Sequence, residues 1–166
     1  REIVEGVDVA AVVRRTIGRL AIPAHGVIPP GLLGYAPAPA RLPVSATTPQ
    51  RKKPPLELTA AVHPVMLGQY AALSREMSAI FAARGVELRV VSTSLADFLS
   101  MQVHGGVDVV VGRWIGDYPD ADTFVRGMLH SQEGSIGRYL MNAEIDRLSD
   151  AARTEIDPAA RHAIYR

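Results

Sequence analysis

Apolar residues at Val9, Val12, Val13, Ile17 and Leu20 return every three to four positions, which predicts a helix over residues 7–20 with Asp8 as its N-cap. Residues 22–35 break that rhythm with Pro23, Gly26, Pro29, Pro30, Gly31 and Gly34. Proline fixes φ and lacks a donor, so this run reads as irregular but ordered chain and not as sheet interior. Proline density rises further over residues 36–55, where Arg51, Lys52 and Lys53 also cluster, and a surface connection is predicted there.

The middle of the chain alternates between two periods. Residues 56–62 read as a strand, and His63-Pro64 opens a helix to Arg84 with Met66, Tyr70, Leu73, Met77, Ile80 and Phe81 on one face. Gly85 stands where a helix C-terminus wants glycine. Residues 86–92 form a second predicted strand, Ser94 caps a helix over 94–102, and residues 107–111 form a third strand after Gly105-Gly106. Strand, helix, strand, helix, strand at this spacing is a β-α-β-α-β unit with parallel strands. Runs this rich in valine suit strands covered by helices on both faces. The fold class is therefore α/β. Beyond it the pattern is helical and more polar: residues 120–130, 142–153, and a last helix announced by Asp157-Pro158.

Composition narrows the classes of function. With 48% hydrophobic and 21% charged residues, the 166-residue chain is globular, and a net charge of +1 gives no footprint for nucleic acid. It has no cysteine, so disulfides, thiolate metal sites and cysteine nucleophiles are excluded. The five histidines (His25, His63, His104, His130 and His162) show no metal-ligand spacing, and no Gly-x-Ser-x-Gly elbow or dinucleotide fingerprint occurs. No metal, no cofactor and no enzymatic centre is expected. The chain opens on Arg1 and closes on Arg166 within a predicted helix, which reads as one incomplete domain cut from a longer protein.

One segment carries candidate chemistry. Open parallel α/β sheets bind ligands beyond the carboxyl ends of their strands. The third strand runs straight into Gly112-Arg113-Trp114-Ile115-Gly116-Asp117-Tyr118-Pro119-Asp120. Trp114 and Tyr118 offer broad amphipathic walls, Gly116 permits close backbone approach, and Asp117 offers a carboxylate suited to a cationic amine. The alternative is structural: Trp114 in a core, Asp117 in a turn, and Asp120 or Asp122 capping a helix.

The same segment resembles the "G-x-W-x-x-D-Y-x-D/E-P" signature of bacterial extracellular solute-binding proteins of the oligopeptide, dipeptide and nickel type (family 5). Four further stretches are similar to that family in the same order. They are Gly6-Val7-Asp8 with Val12-Val13, the run from Pro23 to Gly31 with Gly34-Tyr35, Asn142-Ala143-Glu144-Ile145-Asp146, and Asp157 to Tyr165 as "D-x-x-x-R-x-x-x-Y". The resemblance implies the C-terminal lobe of a two-lobed receptor, without its N-terminal lobe. It implies an extracytoplasmic or periplasmic location, a small peptide or other small solute as ligand, and the membrane permease of an ABC importer as partner. It also implies that Asp117 pairs with a peptide α-amino group and that Trp114 lines a side-chain pocket.

Departures are visible. The proline-rich 36–55 run replaces a lysine- and alanine-rich helix, the family's asparagine is either replaced by Gly137 or missing, and Tyr139 lies one residue too far from Asn142. Two other classes remain open at this point: a ligand-sensing domain of a signalling protein, and a carboxylate-dependent hydrolase.

Overall fold

The computed structural model describes residues 6–37 and 55–166, so most of the predicted 36–55 connection lies outside the described residues. These fall into two compact units, one of residues 6–23 and 55–113, the other of 24–37 and 114–166.

The first unit is the predicted α/β core. Helix α1 (Val9–Thr16) is capped by Asp8, whose carboxylate accepts from the Ala11 N–H at 2.9 Å. Three parallel strands follow in the order β2-β1-β3: β1 (Leu56–Val62), β2 (Val86–Val90) and β3 (Val109–Val111). Leu56 pairs with Val86 through to Ala60 with Val90, and Ala60 pairs with Val109 through to Val62 with Val111. Two-residue alternation turns Ala60, Val62 and Val111 to one face, where they pack with Met66 and, around them, Val65, Tyr70, Leu73, Met77 and Leu88. Ala61, turned to the other face, is also fully buried, and α4 (Leu95–His104) packs against β1 with Phe98 buried.

The helix predicted over 64–84 is two helices, α2 (Pro64–Leu67) and α3 (Ala71–Ala82). Gly68 ends α2 with φ −99° and ψ −92°. The Tyr70 N–H then reaches back to the Val65 carbonyl at 3.0 Å, one residue further than an α-helical bond. That wide turn lets Met66, Tyr70 and Leu73 all meet the sheet. Gly85 does end the segment, at φ 73°, a left-handed conformation that glycine adopts without strain.

Two strands are shorter than their apolar runs because side chains take over the ladder. Ser92, which is buried, accepts from the Val62 N–H at 2.7 Å and donates to the Val62 carbonyl at 2.9 Å. Asp108 accepts from the Thr59 N–H at 2.8 Å and from its hydroxyl at 2.7 Å. The Thr59 hydroxyl and then its N–H hold the Asp108 carboxyl below the usual carboxylate range.

The second unit is helical: α5 (Asp122–Leu129), α6 (Ala143–Thr154) and α7 (Pro158–Tyr165). Asn142 caps α6, accepting from Glu144 and Ile145, and Asp157 caps α7, accepting from Ala160. The glycine-rich stretch before residue 37 packs on α7. There the Gly34 N–H donates to His162 Nδ1 at 3.2 Å, and a Cβ at Gly34 would stand 2.4 Å from Tyr165 Cβ. Arg126 binds α5 to its surroundings by ion pairs with Glu133 and Asp150.

The histidines are structural where their contacts are visible. His63 Nδ1 accepts from the Val65 N–H at 3.0 Å while its ring meets Phe98 edge-on. His130, buried, accepts from the Gln132 and Glu133 N–H groups, and His104 Nδ1 lies 3.0 Å from the Ser100 carbonyl. Among the described residues no group of three or more His, Asp or Glu side chains could hold a metal, and no helix is long and apolar enough to cross a membrane.

Candidate functional site

Residues 114–120 open the second unit and contain no helix or strand. An irregular run of this kind keeps one conformation only if something else fixes it. Most of the anchors come from α5, which follows it in the chain. The Trp114 indole N–H donates to the Thr123 carbonyl at 2.8 Å, and the six-membered ring edge lies against Gly127, where a Cβ would come within 3.2 Å of Cζ2. A Cβ at Gly116 would stand 2.9 Å from both Thr123 Cγ2 and Phe124 Cε2, so the close backbone approach at Gly116 is made to α5. The Tyr118 hydroxyl donates to Asp122 Oδ2 at 2.9 Å. That hydrogen bond, with desolvation behind it, raises the Tyr118 pKa and keeps the phenol a donor.

The three carboxylates of the segment and its sequel have different fates. Asp120 accepts both η nitrogens of Arg161 at 2.7 and 2.8 Å and also the Asp122 N–H at 2.8 Å. Hydrogen bonding to Arg161 is the main reason its carboxyl titrates below the ordinary range, and partial burial opposes that shift. Asp122 is buried and holds Tyr118 through Oδ2, while its Oδ1 has no hydrogen-bond partner among the described residues. Asp117 is exposed and makes no hydrogen bond or ion pair with any described residue.

Trp114, Gly116, Asp117 and Tyr118 are thus carried on one anchored stretch, with Trp114 half-buried and Tyr118 49% exposed. What the arrangement offers is one carboxylate without a partner among the described residues, at Asp117, next in sequence to the half-exposed Tyr118. Carboxylates and aromatic faces are both groups that attract cations. Asp120 and Arg161 were not singled out by local spacing, because 41 positions separate them. A signal did exist: Asp157, Arg161 and Tyr165 recur every four residues and so share one helix face.

Comparison with known proteins bears on the fold that carries this stretch. No protein-family model matches the chain. Over 81 residues it is 28% identical to the periplasmic murein peptide-binding protein MppA of Escherichia coli, covering 49% of the chain and 15% of that protein. The solved structure of the Escherichia coli murein tripeptide-binding protein MppA superposes on 98% of the chain with a TM-score of 0.76 at 21% identity, using 34% of that structure. The binding protein AgaA of A. tumefaciens, solved with agropinic acid, covers 98% of the chain and 35% of its own at a TM-score of 0.69 and 20% identity. The chain therefore spans about a third of the solved proteins it matches. Over half its length the chain is thus similar in sequence to a periplasmic murein peptide-binding protein, and over nearly all of it the chain shares the fold of that protein's solved structures.

Proposed function

We propose that the chain supplies part of the ligand site of an extracytoplasmic receptor that captures small peptides for an ABC importer, binding them without chemistry. In this reading Asp117 receives the peptide α-amino group, and Trp114 and Tyr118 flank it as walls. The observation that carries the reading is the inequality among the carboxylates. Asp120 and Asp122 are committed to Arg161 and Tyr118, whereas Asp117, between two anchored residues, has no partner among the described residues. A charge left free on an otherwise fixed stretch is suited to an incoming cation. The same position matches the aspartate of the family signature, and the relative MppA is a murein peptide-binding protein. The partner permease and the remaining lobe belong to this proposal as well.

The test is calorimetry on the full-length gene product with short peptides, free and N-acetylated. A charge-assisted hydrogen bond is worth about 1.5–3 kcal/mol. Acetylation, or Asp117→Asn with free peptide, should therefore weaken binding roughly ten- to a hundredfold. Equal affinity of the unaltered protein for both peptides would refute the amine contact.

A further inference from the structure

We propose that Arg161 is a positioning residue for the amine site: through Asp120 it sets where Asp117 stands, although it lies 44 positions away in the chain. This rests on the reading of Asp117 given above. The argument begins with the anchors of the 114–120 stretch. Those at Trp114, Gly116 and Tyr118 all come from α5, the element that immediately follows, so they move with it. Asp120 alone in the stretch is also anchored to α7, through Arg161.

Arg161 is itself held on every side that the described residues offer. Its Nε donates to the Ala152 carbonyl at the end of α6 at 2.8 Å, its two η nitrogens grip both oxygens of Asp120, and Nη2 lies 3.3 Å from the Tyr165 hydroxyl. The guanidinium carbon also lies 5.5 Å from the centre of the Tyr165 ring. A planar fork engaged at three edges has little rotamer freedom left, and a bidentate pair fixes direction as well as distance. The pair is mostly shielded, with side-chain exposures of 20% for Arg161 and 30% for Asp120.

The restraint passes to the site by a short route. Asp120 Oδ1 accepts the Asp122 N–H, and Asp122 in turn holds the Tyr118 hydroxyl. The Asp120 N–H also closes a tight turn onto the Tyr118 carbonyl at 2.9 Å. Tyr118 is the residue next to Asp117. Releasing Asp120 from Arg161 therefore leaves the C-terminal side of Asp117 tied to α5 alone, through Asp122, and removes its restraint to α7. The carboxylate would remain present, but on a backbone less firmly placed.

That distinction defines the experiment. Arg161→Lys keeps the charge and loses the fork; Asp120→Asn keeps the shape and weakens the pair. Both variants of the full-length protein are titrated with free and N-acetylated peptide, and their melting temperatures are measured alongside. The expected result is a fall in the free-over-acetylated affinity ratio of about fivefold or more in each variant, with affinity for the acetylated peptide changed less than twofold. A purely structural role would lower both affinities together and leave the ratio intact, and that outcome would overturn the inference. So would an unaltered ratio in whichever variant folds. If the unaltered protein shows no preference between the two peptides, the functional reading fails and takes this inference with it, a result distinct from a preference that survives both substitutions.

Discussion

At the scale of single residues, the acidic side chains of this protein do most of the fixing, and their titration can be read from outside. Asp108, Asp120 and Asp146 are each held below the ordinary carboxylate range by hydrogen bonds, from Thr59, Arg161 and Ser131 respectively. A carboxyl whose folded pKa is depressed stabilises the protein above its unfolded value of about 3.9, and that stability is lost as pH falls through the folded value. Melting temperature should therefore hold steady near neutrality and drop below about pH 4. Asp120→Asn should lower the melting temperature at pH 7 and narrow the gap between pH 7 and pH 3, since one of the titrating groups is gone. A gap unchanged by the substitution would show that the Arg161 pair contributes nothing to acid sensitivity. Asp117 was legible in the sequence as the amine-binding candidate because motif and chemistry coincide there. The commitments of Asp120 and Asp122 were not, because both are set by contacts with side chains whose positions only the folded chain decides.

At the scale of elements, the sequence announced the three strands and most helices found among the described residues, and it erred at the edges for identifiable reasons. Valine runs marked the three strands, but Ser92 and Asp108 ended the ladders early by bonding Val62 and Thr59 with their own side chains. The periodic face from Met66 to Phe81 concealed the break at Gly68, since a wide turn keeps the same residues on the same side. The connection between α5 and α6 holds two positions with opposite demands. A Cβ at Gly137 would fall 2.0 Å from the His130 carbonyl oxygen, so no larger residue is accommodated there on this backbone. Met141, four residues on, takes φ 44° and is 65% exposed. Left-handed backbone disfavours a side chain by roughly 1–2 kcal/mol, while forced overpacking costs roughly 1–3 kcal/mol. Met141→Gly should accordingly raise stability by about 1 kcal/mol and Gly137→Ala lower it by about 2 kcal/mol, measured by denaturant unfolding of each variant. A destabilised Met141→Gly would mean that the exposed thioether contributes more than its backbone conformation costs.

At the scale of the whole molecule, the decisive fact is one of share. The chain aligns along nearly all its length with about a third of the length of the solved proteins it matches, so under the proposed function it would supply only part of the ligand site. The candidate surface fits that view, since Asp117 is exposed and Tyr118 and Ile115 face solvent at 49% and 64%. An ion pair formed in open water is worth about 0.2–1 kcal/mol, because high dielectric and salt screen it. The same pair shielded by a further surface reaches the larger values that hydrogen bonds to charged groups show. Residues 1–166 expressed alone should therefore bind free-amine peptides no tighter than millimolar, on the order of 4 kcal/mol in all. The full-length product should bind at least a hundredfold more tightly, and the difference should persist when both are measured at one ionic strength. Calorimetry of the two proteins against one tripeptide decides the matter. Sub-micromolar binding by the chain alone would mean that a complete site is already present in it, and the two-lobe reading would have to be given up.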